Sequence, residues 1–347
     1  VQEAHKRGMK IVMDAVFNHT GREFFAFEDI MEKGEKSKYL DWYYIEKFPL
    51  ESERGEIPNY KCFGYYGGMP KLNLKNPEVE KFFTDVACYW IKECDIDGWR
   101  MDVGDEISHY FWKNFRRAVK AVKKDMLIIG EIWHYAGDFL EGDEWDTVMN
   151  YPFYLNLIDL LADEKINVSQ FIQNLGYLKG RLNKKCYPLM WNLIDSHDTA
   201  RFLHLCKDNK KKQHLAAAFQ LLLPGMPMIY YGDEFAMPGA NDPDCRRGMY
   251  WDEEYQDKEM FEWYKQLLKV RKNHACIVEG EPMEIAARDE EETIVLTRKN
   301  GEETLALIFN CSSRARVFSE YAQKYDLLRE NLFDGKIEGL DATVIVL

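Results

Sequence analysis

The feature that most constrains this chain is a series of short apolar runs that each end on an acidic or polar residue. The runs cover residues 10–14, 96–102, 126–131, 147–150, 190–196 and 226–231. Runs of this length without polar alternation are what strands buried on both faces of a parallel sheet look like. Between them lie helical patterns, the clearest over residues 108–124, where Tyr110, Phe111, Phe115, Val119 and Val122 recur near helical spacing. A βα series results. Asp14, Asp102 and Glu131 close three of the runs, while Asp198 and then Asp233 with Glu234 follow two others. In an eight-stranded (β/α) barrel that rim is where chemistry is built, whereas an acid inside the barrel would need a partner.

Spacing agrees with the barrel. A strand plus a helix takes ~30 residues. The step from Asp102 to Glu131 is 29 residues (131 − 102), and that from Glu131 to Asp198 is 67 (198 − 131), one unit and two. The step from Asp14 to Asp102 is 88 (102 − 14) and leaves an excess, roughly residues 20–75, rich in Gly, Pro, Tyr and charge. This segment reads as an irregular subdomain inserted in one strand-to-helix loop. After about Pro282 the period changes to two. Residues 293–299, an Asn300-Gly301 turn and residues 302–309 predict a hairpin closed by a type I′ turn. The expected organisation is therefore an α/β barrel over 1–19 and 76–282, the inserted subdomain over 20–75, and a C-terminal antiparallel β-sandwich over 283–347. Six strand candidates are two short of eight.

Composition removes other classes. Lys plus Arg number 46 against 59 Asp plus Glu, a formal charge of −13, so the chain repels nucleic acid. No run approaches the ~18 apolar residues of a membrane span, and the first eight residues read as a short amphipathic helix rather than a signal peptide. The eight cysteines show no paired C-x-x-C spacing and read as mostly reduced thiols of a cytoplasmic protein.

Carboxylates on neighbouring strand ends, with His and Arg beside them, suit acid-base chemistry on a neutral polar substrate. Glycoside hydrolysis needs a nucleophile, a proton donor held neutral, and stabilisation of an oxocarbenium-like transition state. Asp102, Glu131 and Asp198 are the candidates, and Trp99, Trp133, Tyr65, Tyr66 and Tyr151 are candidate platforms for sugar faces.

The strings DAVFNH at 14–19, GWRMDVGDE at 98–106, GEIWH at 130–134 and LIDSHD at 193–198 resemble, in order and spacing, the four signature segments of the α-amylase family of glycoside hydrolases. MPKLN at 69–73, with YYGDE at 230–234 and DPDCRR at 242–247, is similar to the neopullulanase, cyclomaltodextrinase and maltogenic amylase subgroup. The resemblance implies a retaining hydrolase of α-1,4-glucosidic bonds in cyclodextrins, maltooligosaccharides or pullulan. By resemblance Asp102 is the nucleophile, Glu131 the acid and then the base, and Asp198 the residue that binds sugar hydroxyls at the transition state. It places His19, His197, Trp133 and Arg247 on the substrate and has Arg100 keep Asp102 ionised. Asp14 and Asn18 organise the site, Asp14 by pairing with Arg100.

The family needs no catalytic metal, a calcium ion bracing a loop being allowed, and the resemblance implies a dimer of the full-length protein. Asp105 stands where the subgroup usually carries a residue like Asn. The first signature segment belongs to the family's third barrel strand, so the reading takes the chain from that strand onward. Alternatives are an α-glucan transferase or oligo-α-1,6-glucosidase of the same family, or a truncated barrel that binds glucan or a partner without turnover.

Overall fold

A computed structural model of the chain describes residues 1–51 and 58–347. They form two compact units, the first made of Val1–Ile132 and Ala136–Met149, the second of Trp133–Tyr135 and Asn150–Leu347. Each is described by itself.

In the first unit β1 (Val12–Ala15), β2 (Gly98–Met101), β3 (Leu127–Gly130) and β4 (Thr147–Val148) lie side by side in chain order and all parallel. Gly98 sits opposite both Val12 and Leu127, so the three longer strands start level. Every residue of β2 is buried, as expected of a central parallel strand. Successive side chains of a strand point to opposite faces: Trp99 turns to the helix side, where its ring joins Phe17, 6.3 Å away, and Arg100 turns the other way. Phe17 in turn packs on Phe83 and Phe115 of the crossover helices.

Those helices carry clear start signals. Asn76 caps Pro77–Cys94 by accepting from the Glu78 N–H, with Pro77 at the first helical position, and Ser108 caps His109–Val122 through the Phe111 N–H. The described part of the inserted subdomain is held by isolated bridges, His19 to Lys71, Tyr43 to Leu72, Ile45 to Tyr60 and Cys62 to Pro70, rather than by a sheet.

In the second unit β5 (Trp191–Asn192) and β6 (Met226–Pro227) pair in parallel. All six apolar runs of the series thus contain strands, though several shrink to two residues. The helix Lys210–Leu222 is almost wholly buried from Leu215 onward. One side of it meets an antiparallel six-stranded sheet that contains β7 (Glu281–Arg288), β8 (Thr293–Asn300), β9 (Glu303–Asn310) and the last strand, Asp341–Val346. Leu305, Leu307, Phe309 and Val344 face the helical core, with the Phe309 ring stacked on Phe219 at 4.3 Å. Val295, Ala306, Ile308 and Ile345 face the other way onto Phe318, Phe333 and Ile337. A two-stranded ribbon, Arg316–Val317 with Lys336–Ile337, belongs to that second layer.

The β8–β9 hairpin differs from the expected turn. Asn300 pairs with Glu303 as the last ladder residue, so the loop is Gly301-Glu302, and of these only Gly301 has positive φ, at 59°. Positive φ at the first loop position alone is the pattern of a II′ turn, which asks for Gly there and nothing special of Asn300.

Candidate active site

In the first unit one guanidinium gathers the acids that end three successive strands. Arg100 Nη1 donates to Asp14 Oδ1 at 2.9 Å and to Asp102 Oδ1 at 2.8 Å, and Nη2 pairs with Glu131 Oε1. The acids are unequally hydrated: the side chain of Asp14 is 55% exposed, that of Asp102 19% and that of Glu131 4%. Burial by itself would lower the pKa of Arg100, and the carboxylates of Glu131, Asp14 and Asp102 overcome it, holding the guanidinium above its usual value.

The loop after Asp102 is built tightly around Glu131. Val103 takes a left-handed conformation, φ 46°, which is costly for a β-branched residue. In return its N–H donates to Glu131 Oε2 at 3.1 Å, and the Gly104 N–H donates to the Glu131 carbonyl at 3.2 Å. Trp145 lies against both segments. A Cβ on Gly104 would come within 2.6 Å of its ring, one on Gly130 would collide with it outright, and Trp112 Nε1 donates to the Gly104 carbonyl at 2.9 Å.

Asn18 and His19 follow β1 and are both buried. The His19 ring stacks on Phe63 at 5.3 Å, and Asn18 Nδ2 reaches its Nδ1 at 3.3 Å. Lys71 and Glu106 complete this corner, and sequence reasoning missed both. Lys71 Nζ donates to the Glu106 carbonyl at 3.0 Å, to Glu106 Oε2 at 3.1 Å and to Asn18 Oδ1. This oxygen set, one amide, one carbonyl and one carboxylate, is what a hard metal ion uses. Here a lysine ammonium fills it, so the corner does not fit a calcium ion. The available signal was that both residues lie inside the quoted strings, Lys71 in MPKLN and Glu106 at the end of GWRMDVGDE.

The remaining site candidates lie in the second unit. His197 Nε2 is 3.3 Å from Asp198 Oδ2, and Asp198 Oδ1 accepts from Arg246 Nη2 at 3.0 Å. Arg246 Nε also donates to the His197 carbonyl at 2.9 Å. Arg247 is turned away onto Asp244, to which it donates at 2.7 and 2.8 Å. Of the adjacent arginines it is thus Arg246, which the motif reading passed over, that touches Asp198.

Trp133 keeps 41% of its surface exposed and stacks its other face on Tyr151 at 4.1 Å. Two of the expected sugar platforms are excluded by burial. Tyr151 is 0% exposed, in the first turn of helix Tyr151–Leu157, and Trp99 is 2% exposed on the helix side of β2. Tyr65 and Tyr66 in the inserted subdomain remain open to solvent. Asp233 proves structural: with Asp195 it is buried beside Arg201, whose Nη1 donates to Asp233 Oδ1 at 3.1 Å.

Acids gathered at the C-terminal ends of parallel strands, with helices between them, define a barrel enzyme's active face. Comparison with known proteins makes this particular. The model of the α-amylase catalytic domain matches residues 1–255, and the chain belongs to the α-amylase family. It is 45% identical over 315 residues to a cyclomaltodextrinase of Geobacillus thermopakistaniensis, covering 91% of this chain and 53% of that one. It is 47% identical over 281 residues to neopullulanase 2 of Thermoactinomyces vulgaris, covering 81% and 48%. A solved cyclomaltodextrinase structure superposes with a TM-score of 0.93 at 36% identity, over 99% of this chain and 61% of its own. The fold class is therefore the family's (β/α) barrel with a C-terminal β-sandwich. The chain spans about half the length of the curated relatives it matches.

Proposed function

We propose that this chain carries the catalytic centre of a retaining α-glucan hydrolase acting on α-1,4 bonds of cyclodextrins, maltooligosaccharides or pullulan. The observation that carries this reading is the single Arg100 guanidinium shared by Asp14, Asp102 and Glu131. Three acids around one cation leave an excess of negative charge. Glu131, the least hydrated of the three, is the proton donor of this reading. Asp102, which keeps its contact with Arg100, is the nucleophile. Two groups on adjacent nitrogens of one guanidinium lie close together, which favours the ~5–5.5 Å separation of retaining enzymes over the wider gap that an inverting water needs.

In the first half-reaction Asp102 attacks the anomeric carbon while Glu131 passes its proton to the departing glycosidic oxygen. In the second, Glu131 takes a proton from water, and that water displaces Asp102 from the sugar. Asp198 and His197 bind sugar hydroxyls, His19 does the same from its own unit, and Trp133 offers its open face to a glucose ring. Arg247 is a further substrate contact by resemblance to the family. Asp14 and Asn18 orient Arg100 and His19. No step calls for a metal ion.

The choice of cyclodextrins and pullulan among the substrates is supported by the relatives named cyclomaltodextrinase and neopullulanase. An intracellular setting and a dimer of the full-length protein belong to the same reading. The first is supported by eight free cysteines and by a relative named intracellular maltogenic amylase from Bacillus subtilis, 41% identical over 311 residues. No helix among the described residues is long and apolar enough to cross a membrane.

The test is reducing-sugar release from β-cyclodextrin, with proton NMR of the first product. The α-anomer is expected; an initial β-anomer would overturn the assignment of Asp102 as nucleophile. Products from pullulan separate α-1,4 hydrolysis from α-1,6 hydrolysis or transfer.

A further inference from the structure

The corner where Lys71, Asn18, His19 and Glu106 meet contains a chain of hydrogen-bond logic. An ammonium has donors only. The Asn18 atom that faces Lys71 is therefore the amide oxygen, which fixes the flip of that amide. The other terminus, the NH2 group, then faces His19 Nδ1 at 3.3 Å and Glu106 Oε2 at 3.3 Å. An NH2 group can only donate to a ring nitrogen, so Nδ1 is the acceptor. The ring must then be neutral, with its one proton on Nε2. Stacking on Phe63 and the backbone bridge to Lys71 hold the ring in place while this is enforced.

We propose that Lys71 is a positioning residue which, through the amide of Asn18, fixes His19 as the neutral imidazole that carries its proton on Nε2. The inference rests on the proposed glucan chemistry only for its purpose: a ring of fixed tautomer presents one donor to a sugar hydroxyl and does not compete as a cation for Asp102. The corner's electrostatics point the same way. The groups that act on His19 are Asp102, Lys71 and Glu106; burial lowers its pKa, Lys71 lowers it further, and the two carboxylates oppose this. Around Lys71 the charged groups are Glu106, Asp105 and Lys61.

Nitrogen-15 NMR of the imidazole rings, with His19→Gln assigning the signal among eight histidines, reads tautomer and titration without any need for turnover. In the parent, His19 should show the proton on Nε2 and stay neutral to lower pH than an exposed histidine. Lys71→Met removes the group that orients Asn18, so the tautomer should become mixed and protonation should move up by about half a pH unit or more. Asn18→Asp keeps a partner for Lys71 but offers His19 an acceptor only, which should place a proton on Nδ1 and raise the titration more strongly. If Lys71→Met does not fold, Asn18→Asp carries the test.

A parent His19 protonated on Nδ1, or an unchanged tautomer and titration in the variants, would overturn the proposal. In cyclodextrin assays the acid limb of kcat/KM should rise with the imidazole titration, and the plateau should fall about tenfold, the scale of one hydrogen bond. An inactive parent whose His19 behaves as described would refute the glucan reading and leave this inference standing.

Discussion

Two acid clusters of this molecule use the same ingredients to opposite ends. In the first unit Arg100 is shared by Asp14, Asp102 and Glu131, and water reaches at least Asp14 and Asp102. In the second, Arg201 faces Asp195 and Asp233, and all three are 1% exposed. Both clusters hold more carboxylates than guanidiniums. Where water remains, the extra charge is tolerable and an acid stays available to a substrate. Where water is gone, the extra charge is relieved by keeping a proton. Burial pushes the Asp195 carboxyl up to about 6, against the lowering effect of its hydrogen bond with Asp233, the Phe202 N–H and Arg201; burial and then the Asp195 charge hold Asp233 well above its usual value, with Arg201 countering only in part. The Asp195 carboxylate also receives the Phe202 N–H at 2.7 Å, and Arg201 lies over the Tyr230 ring at 3.9 Å, so the sealed cluster is committed to structure.

The largest effects should come from the open cluster. Asp102→Asn and Glu131→Gln should each abolish measurable turnover while circular dichroism and melting temperature stay near the parent's, since neutral isosteres fit but cannot attack or donate. Activity within tenfold of the parent in either variant would break the role assignment. Next comes Arg100→Met, which leaves three acids without their cation. A loss of roughly 10²-fold or more in kcat is expected, because electrostatic placement of the nucleophile fails with it. Steady-state kinetics giving a near-parental kcat would mean that the guanidinium only packs.

A third effect tests the frame of the open cluster rather than its charges. Gly130→Ala drives a methyl group into the Trp145 ring and should cost about 1–3 kcal/mol in urea unfolding. A stability equal to the parent's would show that Trp145 can move aside.

The smallest effect sharpens the contrast from the sealed side. Below pH ~4 Asp195 is protonated in both folded and unfolded chains; between pH ~4 and ~6 the unfolded chain ionises first, so the group takes stability away as pH rises. Above that window the loss is complete. Asp195→Asn leaves one acid for one guanidinium and should remove this decline, making the variant more stable than the parent at pH 8 by on the order of 1 kcal/mol, and not at pH 4. Unfolding curves at the two pH values measure it, and a variant less stable than the parent at pH 8 would refute the shared-proton account.

These comparisons also show where sequence reading ends. Asp102 and Asp198 were recognisable because they sit in ordered strings, yet nothing in the strings says which arginine of Arg246 and Arg247 turns to Asp198. Adjacent residues of a short turn point in different directions, and the turn's path decides. Trp99 and Trp133 were equal candidates as sugar platforms by residue type. The strand's alternation sends Trp99 to the helix side, while Trp133 stacks one face on Tyr151 and leaves the other open.

By itself the sequence determined the βα series, the place of Asp14, Asp102 and Glu131 at the ends of three apolar runs, and the family. These follow from local periodicity and from short strings of adjacent residues. Only the tertiary structure decided which acids share a cation, which pair is sealed from water, and that Lys71, 53 residues from Asn18 in the chain, orients its amide. Hydration and hydrogen-bond direction depend on what surrounds a group from every side, and those neighbours come from segments that the order of residues does not bring together.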